Sequence, residues 1–128
     1  MSIVQHVHKG QESLLCQLGQ YYRENGVAII EDDFKNGING VIKDRQIVGA
    51  VSLIIPVYQE LPEIVALHSS HPADYDLLIE WSLRFSQMLG HSAVLMTLGT
   101  SDASKLGSNL YEQDGTNRVR LHTIKTIG

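Results

Sequence analysis

Residues 63–98 constrain this chain more than any other stretch, because they spell a strand, a long helix and a second strand in a row. The first apolar run is Ile64-Val65-Ala66-Leu67, a polar break follows at His68-Ser69-Ser70-His71-Pro72, and the second run is Ala93-Val94-Leu95-Met96-Thr97-Leu98. Between them Leu78, Trp81, Phe85 and Met88 recur at helical spacing, and Leu77 and Leu89 widen the stripe. Pro72 stands in the first turn, where a helix tolerates proline, and Gly90 stands where a helix commonly stops. The runs lack strict alternation, which suits parallel strands buried on both faces. The pattern predicts a βαβ unit, with the strands as parallel neighbours and a helix over 72–89 covering one face of their sheet. Ligands of such units sit beyond the carboxyl ends of the strands, beside the helix N-terminus. Function is therefore expected first within residues 68–76.

The whole chain, 1–128, reads as one domain, long enough to bury a core without disulfides or metals. A formal net charge of -4 gives no electrostatic case for nucleic acid or an anionic membrane. Cys16 is the single cysteine, so no intrachain disulfide forms, as suits a reducing compartment. No apolar run approaches the ~20 residues a membrane helix needs, and the N-terminus lacks the charged-then-apolar order of a signal peptide. The expectation is a soluble, cytoplasmic protein with no membrane partner.

Elsewhere, Ile3-Val4-Gln5-His6-Val7 reads as a short first strand, and Leu14, Leu15, Leu18, Tyr21 and Tyr22 make one face of a helix stopped by Asn25-Gly26. Residues 27–39 read either as a short helix around Asp32-Asp33-Phe34 or as a loop beside a strand at Val27-Ala28-Ile29-Ile30. Residues 39–43 and 46–55 form a hairpin about Asp44-Arg45, and the second arm is apolar enough to be a central strand. A further helix is expected after Leu98, capped by Thr100 or Ser101 and buried through Ala103, Leu106 and Leu110, with Asp114-Gly115 as its stop. Residues 118–125 close the chain as an alternating strand. The fold class is α/β, a mixed sheet flanked by helices in the order β-α-β-β-β-α-β-α-β.

This order resembles the GNAT N-acetyltransferase superfamily, and the likeness reaches individual residues. Leu110-Tyr111-Glu112-Gln113-Asp114-Gly115 looks like the tyrosine-bearing end of that family's last helix, and Arg45-Gln46-Ile47-Val48-Gly49-Ala50 like its second hairpin. Residues 64–67 with His71-Pro72 resemble the strand that lends backbone groups to the pantetheine arm of acetyl-CoA. The resemblance implies a V-shaped cleft where the 64–67 and 93–98 strands splay, with Val65, Leu67, His68 and Ser69 along the arm. It implies Tyr111 as the general acid for the departing thiolate, since a phenol of pKa ~10 is protonated at neutral pH. Glu63 is the best placed carboxylate for a general base, with Glu60 behind it.

The loop departs from the family pattern. GNAT enzymes carry an Arg/Gln-x-x-Gly-x-Gly/Ala loop there, so that bare amides and a helix dipole cradle a pyrophosphate. Here His71-Pro72-Ala73-Asp74-Tyr75-Asp76 occupies the place, with no glycine and no arginine. The two aspartates stabilise the helix dipole and repel a diphosphate. At ~6 Å and an effective dielectric near ~20, each pair of full like charges costs on the order of 3 kcal/mol before screening. Acetyl-CoA is thus expected to bind weakly or not at all.

Plainer readings stand beside these. Tyr111 also fits as packing at a helix end, Glu63 as a solvated strand start, and His68 and His71 as capping or surface residues. His6 and His8 share a face, yet no converging set of zinc ligands accompanies them, so no metal is expected. Ser101-Asp102 lacks a hydrolase elbow, and no P-loop or dinucleotide fingerprint appears. Arg118, Arg120 and Lys125 read as protection of an exposed edge, and Trp81 and Phe85 as core. Two functions follow: acyl transfer from acetyl-CoA to an unidentified amine, or a GNAT-shaped binding or structural protein. The second resembles small divergent members encoded by tailed phages, virion-associated or host-interacting. A protein partner and a homo-oligomer stay open; nucleic acid is not expected.

Overall fold

A strand whose neighbouring residues are both apolar must be covered from both sides, and the architecture follows from that requirement. The computed structural model describes residues 3–29, 31–55, 61–91, 93–97, 111–113 and 118–122. In chain order the elements are β1 (Gln5–Val7), α1 (Glu12–Glu24), α2 (Glu31–Asn36), β2 (Ile38–Asp44), β3 (Gln46–Ile54), β4 (Glu63–Ser69), α3 (Asp74–Met88), β5 (Ala93–Thr97), β6 (Tyr111–Gln113) and β7 (Arg118–His122). Among the described residues the strands form one seven-stranded sheet in the order β1-β2-β3-β4-β5-β7-β6. β4 and β5 pair in parallel, and the other neighbours pair antiparallel. The expected mixed sheet and its βαβ unit are therefore present, and β3 lies inside the sheet, as its apolar run requires.

Helices lie on both faces. On one, Leu78, Ile79 and Leu83 of α3 pack against Ile42, Val51, Leu53, Ile64 and Val94. On the other, Leu14, Leu15, Leu18 and Tyr22 of α1 and Phe34 of α2 pack against Val7, Val41, Ile47, Ala50 and Ala66. The neighbours Val41 and Ile42, and likewise Ala50 and Val51, thus enter opposite layers, which is why β2 and β3 do not alternate. Of the two readings of residues 27–39, the short helix is the one found, with Phe34 as its buried anchor.

The stripe of α3 differs from the expected one. Its buried residues are Tyr75, Leu78, Ile79, Ser82, Leu83 and Ser86, whereas Met88 is 82% exposed and Leu89 50% exposed. Hydrophobicity alone misplaced the face, because two small serines lie on the side of the helix that meets the sheet, and Ser82 Oγ donates to Leu78 O at 2.9 Å, so that hydroxyl keeps a partner. Trp81 and Phe85 are half-buried at the flank of that face rather than in the core. There they form an aromatic cluster with His6, whose ring centroid is 6.1 Å from Trp81 and 4.9 Å from Phe85. Burial first, and His8 beside it second, hold the His6 imidazole below its ordinary pKa.

α3 also starts later than expected. A tight turn precedes it, in which Asp74 N–H donates to His71 O and Tyr75 N–H to Pro72 O. Its end is as expected: Gly90 takes φ +93, and Gly90 N–H donates to Gln87 O and His91 N–H to Ser86 O, closing the last turn.

Two readings near the C-terminus are corrected. Tyr111, expected at a helix end, begins strand β6. β7 is not an exposed edge, because β5 flanks it on one side and β6 on the other. A third strand satisfies the backbone of β7, and the register sets Glu112 opposite Arg120. The helix expected over Thr100, Ser101, Ala103, Leu106 and Leu110, its stop at Asp114-Gly115, Glu60 and Lys125 lie outside the described residues. No helix among the described residues is long and apolar enough to cross a membrane.

Close approach at β2 needs a glycine. A Cβ on Gly40 would sit 2.8 Å from both the Trp81 ring and Val4. Gly40→Ala is expected to destabilise the fold by ~1–3 kcal/mol through overpacking, read as a lower urea midpoint. Adding Trp81→Leu should recover part of the loss, and additive effects would deny the contact.

Candidate functional site

The candidate site is the place where, among the described residues, the pairing of β4 with β5 ends. Their registered pairs are Glu63 with Leu95 and Ile64 with Met96. β4 then continues through Ser69, and among the described residues no strand pairs with that side of it. The register to β3 explains the parting: Leu53 faces Ile64 and Ser52 faces Ala66, so Val65 is the extra residue of a bulge. A bulge bends its strand and raises the local twist, here one residue after the last pair with β5. Alternate peptide groups of residues 65–69 then point away from β3 into the gap.

Each residue expected along this strand has a definite place. Glu63 is half-buried at the fork. Val65 is the bulge residue, and Leu67 packs against the α3 layer. His68 turns to the α1 face, where its Nδ1 lies 2.8 Å from the Tyr21 hydroxyl; a protonated Tyr21 donates when Nδ1 is bare. Ser69 is buried, and its Oγ donates to His71 O at 2.8 Å and accepts from His71 N–H at 3.1 Å. Tyr111 lies in β6, with β5 and β7 between it and β4.

The loop after β4 is held by its own hydrogen bonds. Ser70 N–H donates to Val48 O at 2.8 Å, Asp74 N–H to His71 O at 3.0 Å and Tyr75 N–H to Pro72 O at 3.3 Å. With His71 N–H on Ser69 Oγ and Pro72 lacking an amide hydrogen, the turn offers few free donors to an anion. Asp74 and Asp76 stand in the first turn of α3, where the helix dipole favours them and where they oppose a second negative group.

Sequence reasoning missed the tyrosines of α1. They were legible as an apolar face, but not as hydroxyls with partners. Tyr22 OH lies 2.8 Å from Ser52 Oγ, Ser52 Oγ donates to Asn39 Oδ1 at 2.5 Å, and Asn39 Nδ2 donates to Phe34 O at 2.6 Å. The signal available beforehand was Ser52 within an apolar run, since a buried hydroxyl needs a partner. A cavity of about 280 Å³ opens beside Tyr21, walled by Gln17, Gln20, Glu24, Gln46 and Ile47. Among the described residues, no group of three or more His, Cys, Asp or Glu is placed to hold a metal ion.

No protein-family model matches the sequence, and no curated protein does. Solved structures do match. FeeM, an N-acyl amino acid synthase from uncultured soil microbes, aligns over 98% of this chain and 92% of its own with a TM-score of 0.71 and 12% identity. YhbS, a GNAT family N-acetyltransferase from Escherichia coli solved in complex with CoA, covers 95% and 81% at a TM-score of 0.56 and 15% identity. A tandem GNAT protein from the clavulanic acid biosynthesis pathway, solved without AcCoA, covers 89% of this chain at a TM-score of 0.69 and 9% identity. This chain spans 45% of that protein's length. The chain has the GNAT fold.

Burial holds both α1 tyrosines above the ordinary phenol pKa: for Tyr21 hydrogen bonds with Ser70 pull the other way, for Tyr22 the bond with Ser52 does. Above about pH 10 the unfolded chain releases these protons while the folded chain keeps them, so stability falls as pH rises. The slope from fully buried Tyr22 approaches ~1.4 kcal/mol per pH unit. Urea midpoints measured across the alkaline range should fall less steeply in Tyr22→Phe; parallel curves would refute the assignment.

Proposed function

We propose that this chain is an acyltransferase-like protein that moves an acyl group from a pantetheine thioester, of which acetyl-CoA is the commonest, to an amine. The observation that carries the reading is that, among the described residues, the parallel pairing of β4 with β5 ends at Glu63 and Ile64 while β4 runs on to Ser69. An unpaired strand side offers alternating donors and acceptors to an extended, amide-bearing ligand, as strand addition does. A pantetheine arm is such a ligand, and CoA is bound in YhbS, one of the proteins alike in fold. The arm would lie along Val65, Leu67, His68 and Ser69, with its thioester toward the fork.

In the reaction, the amine nitrogen attacks the thioester carbonyl carbon. A C–N bond forms, the C–S bond breaks, the amine gives up a proton and the thiolate takes one. Glu63, at the fork and half-buried, is the proposed base. The proposed acid is Tyr111, which has the width of β5 and β7 to span. A binding or structural role, as in a virion-associated or host-interacting phage protein, is the second reading. The self-bonded loop before α3 is what favours it.

Glu63→Gln is expected to lower turnover of an acetyl thioester by ~10²–10⁴-fold with the melting temperature kept. Equal rates in both proteins would take the base role from Glu63. For Tyr111→Phe the expected loss, if the phenol gives the proton, is also ~10²–10⁴-fold; an unchanged rate would assign that proton to water. Thioester consumption followed by free thiol, across a panel of primary amines, reads both.

A further inference from the structure

We propose that His6 and His8 form a two-ligand site for a borderline divalent cation of the Zn²⁺, Ni²⁺ and Cu²⁺ class. His6 lies in β1 and His8 directly follows that strand, so the two side chains, two residues apart, share a face. Their ring centroids are 4.5 Å apart at an interplanar angle of 61°. Two imidazole nitrogens, each ~2.0–2.1 Å from one cation, put their ring centres roughly 4.5–5 Å apart at a coordination angle of ~90–105°. The rings therefore already stand at the spacing a shared cation requires.

Both ligands are held from outside the pair. His6 pairs with Gly40 of β2, and its ring lies against Phe85 at 4.9 Å and Trp81 at 6.1 Å. Gly40 makes room for that stack, since a Cβ there would meet the Trp81 ring at 2.8 Å. At the second ligand, His8 N–H donates to Gln11 Oε1 at 2.8 Å and His8 O accepts from Gln11 N–H at 2.9 Å. The backbone at His8 is thus tied down, while its exposed ring turns to meet the cation. Ligands fixed in this way lose less freedom on binding, and the aromatic flank keeps water from one side of the site. β2 and β3 separate β1 from β4, so the proposal stands apart from the acyl-transfer reading.

Donor chemistry selects the cation. Imidazole suits Zn²⁺, Ni²⁺ and Cu²⁺, with Cu²⁺ bound most tightly, whereas Mg²⁺ and Ca²⁺ take oxygen ligands. A structural zinc site has four protein ligands. Among the described residues no third His, Cys, Asp or Glu completes such a group here, so water fills the remaining positions and the cation exchanges.

Trp81 is the single tryptophan of the chain, and it reports the test because an open-shell cation quenches an indole only at close range. Ni²⁺ added to the tag-free protein at neutral pH should quench Trp81 emission saturably, with one ion per chain. Excess Zn²⁺ should restore the emission and Mg²⁺ should not. His8→Gln removes an exposed ring and should weaken Ni²⁺ binding at least ~10-fold at an unchanged melting temperature. An unchanged midpoint in His8→Gln overturns the proposal, as does quenching that never saturates. His6→Gln should cost as much; if its melting temperature falls, His8→Gln carries the decision. His71→Gln removes an imidazole outside the pair and should leave the midpoint in place. An equal loss there assigns the cation to the loop before α3 and overturns the proposal.

Discussion

The interaction on which the rest depends is the burial of β2, β3 and β4 between two layers of helix. β2 and β3 are buried through most of their length, so the polar side chains they bury must find a partner inside. Ser52 and Asn39 meet that demand through Tyr22 and a carbonyl of α2, tying α1, α2, β2 and β3 together in one buried chain of hydrogen bonds. The same sandwich places His68 against Tyr21 on one face and sends Ile64 and Leu67 to the other. β4 is paired with β3 from Glu63 to Ser69.

The pairing with β3 and the pairing with β5 meet at one place on β4. A bulge at Val65 follows the last pair with β5 by one residue, so the strand turns away while still fixed to β3. The loop after it is held in another way. Ser69 bonds to His71 in both directions, and the following turn satisfies its own amides before α3 begins. The loop is held because its backbone has found partners within itself.

The GNAT fold is shared with proteins 9–15% identical to this chain. Such likeness at such identity means that layer order and strand pairing persist while the side chains change. Chemistry therefore has to be argued from what is present here. The turn between β4 and α3 is the place where this chain's own residues speak most directly, since proline, two aspartates and the absence of glycine all act on the same small volume.

The sequence by itself determined the βαβ unit, the tyrosine-bearing face of α1, the hairpin about Arg45 and the stop at Gly90, because periodicity and turn chemistry are local properties. It also determined the charge and stiffness of the loop. Only the tertiary structure decided which face of α3 is buried, because Ser82 and Ser86 are polar by composition yet small enough to lie against the sheet. It alone made Tyr111 the start of a strand, inserted β7 between β5 and β6, and joined Tyr21 to His68 and Tyr22 to Ser52. Those contacts link residues 30 and 47 positions apart, and no local pattern records which distant side chain will fill the space beside a given one.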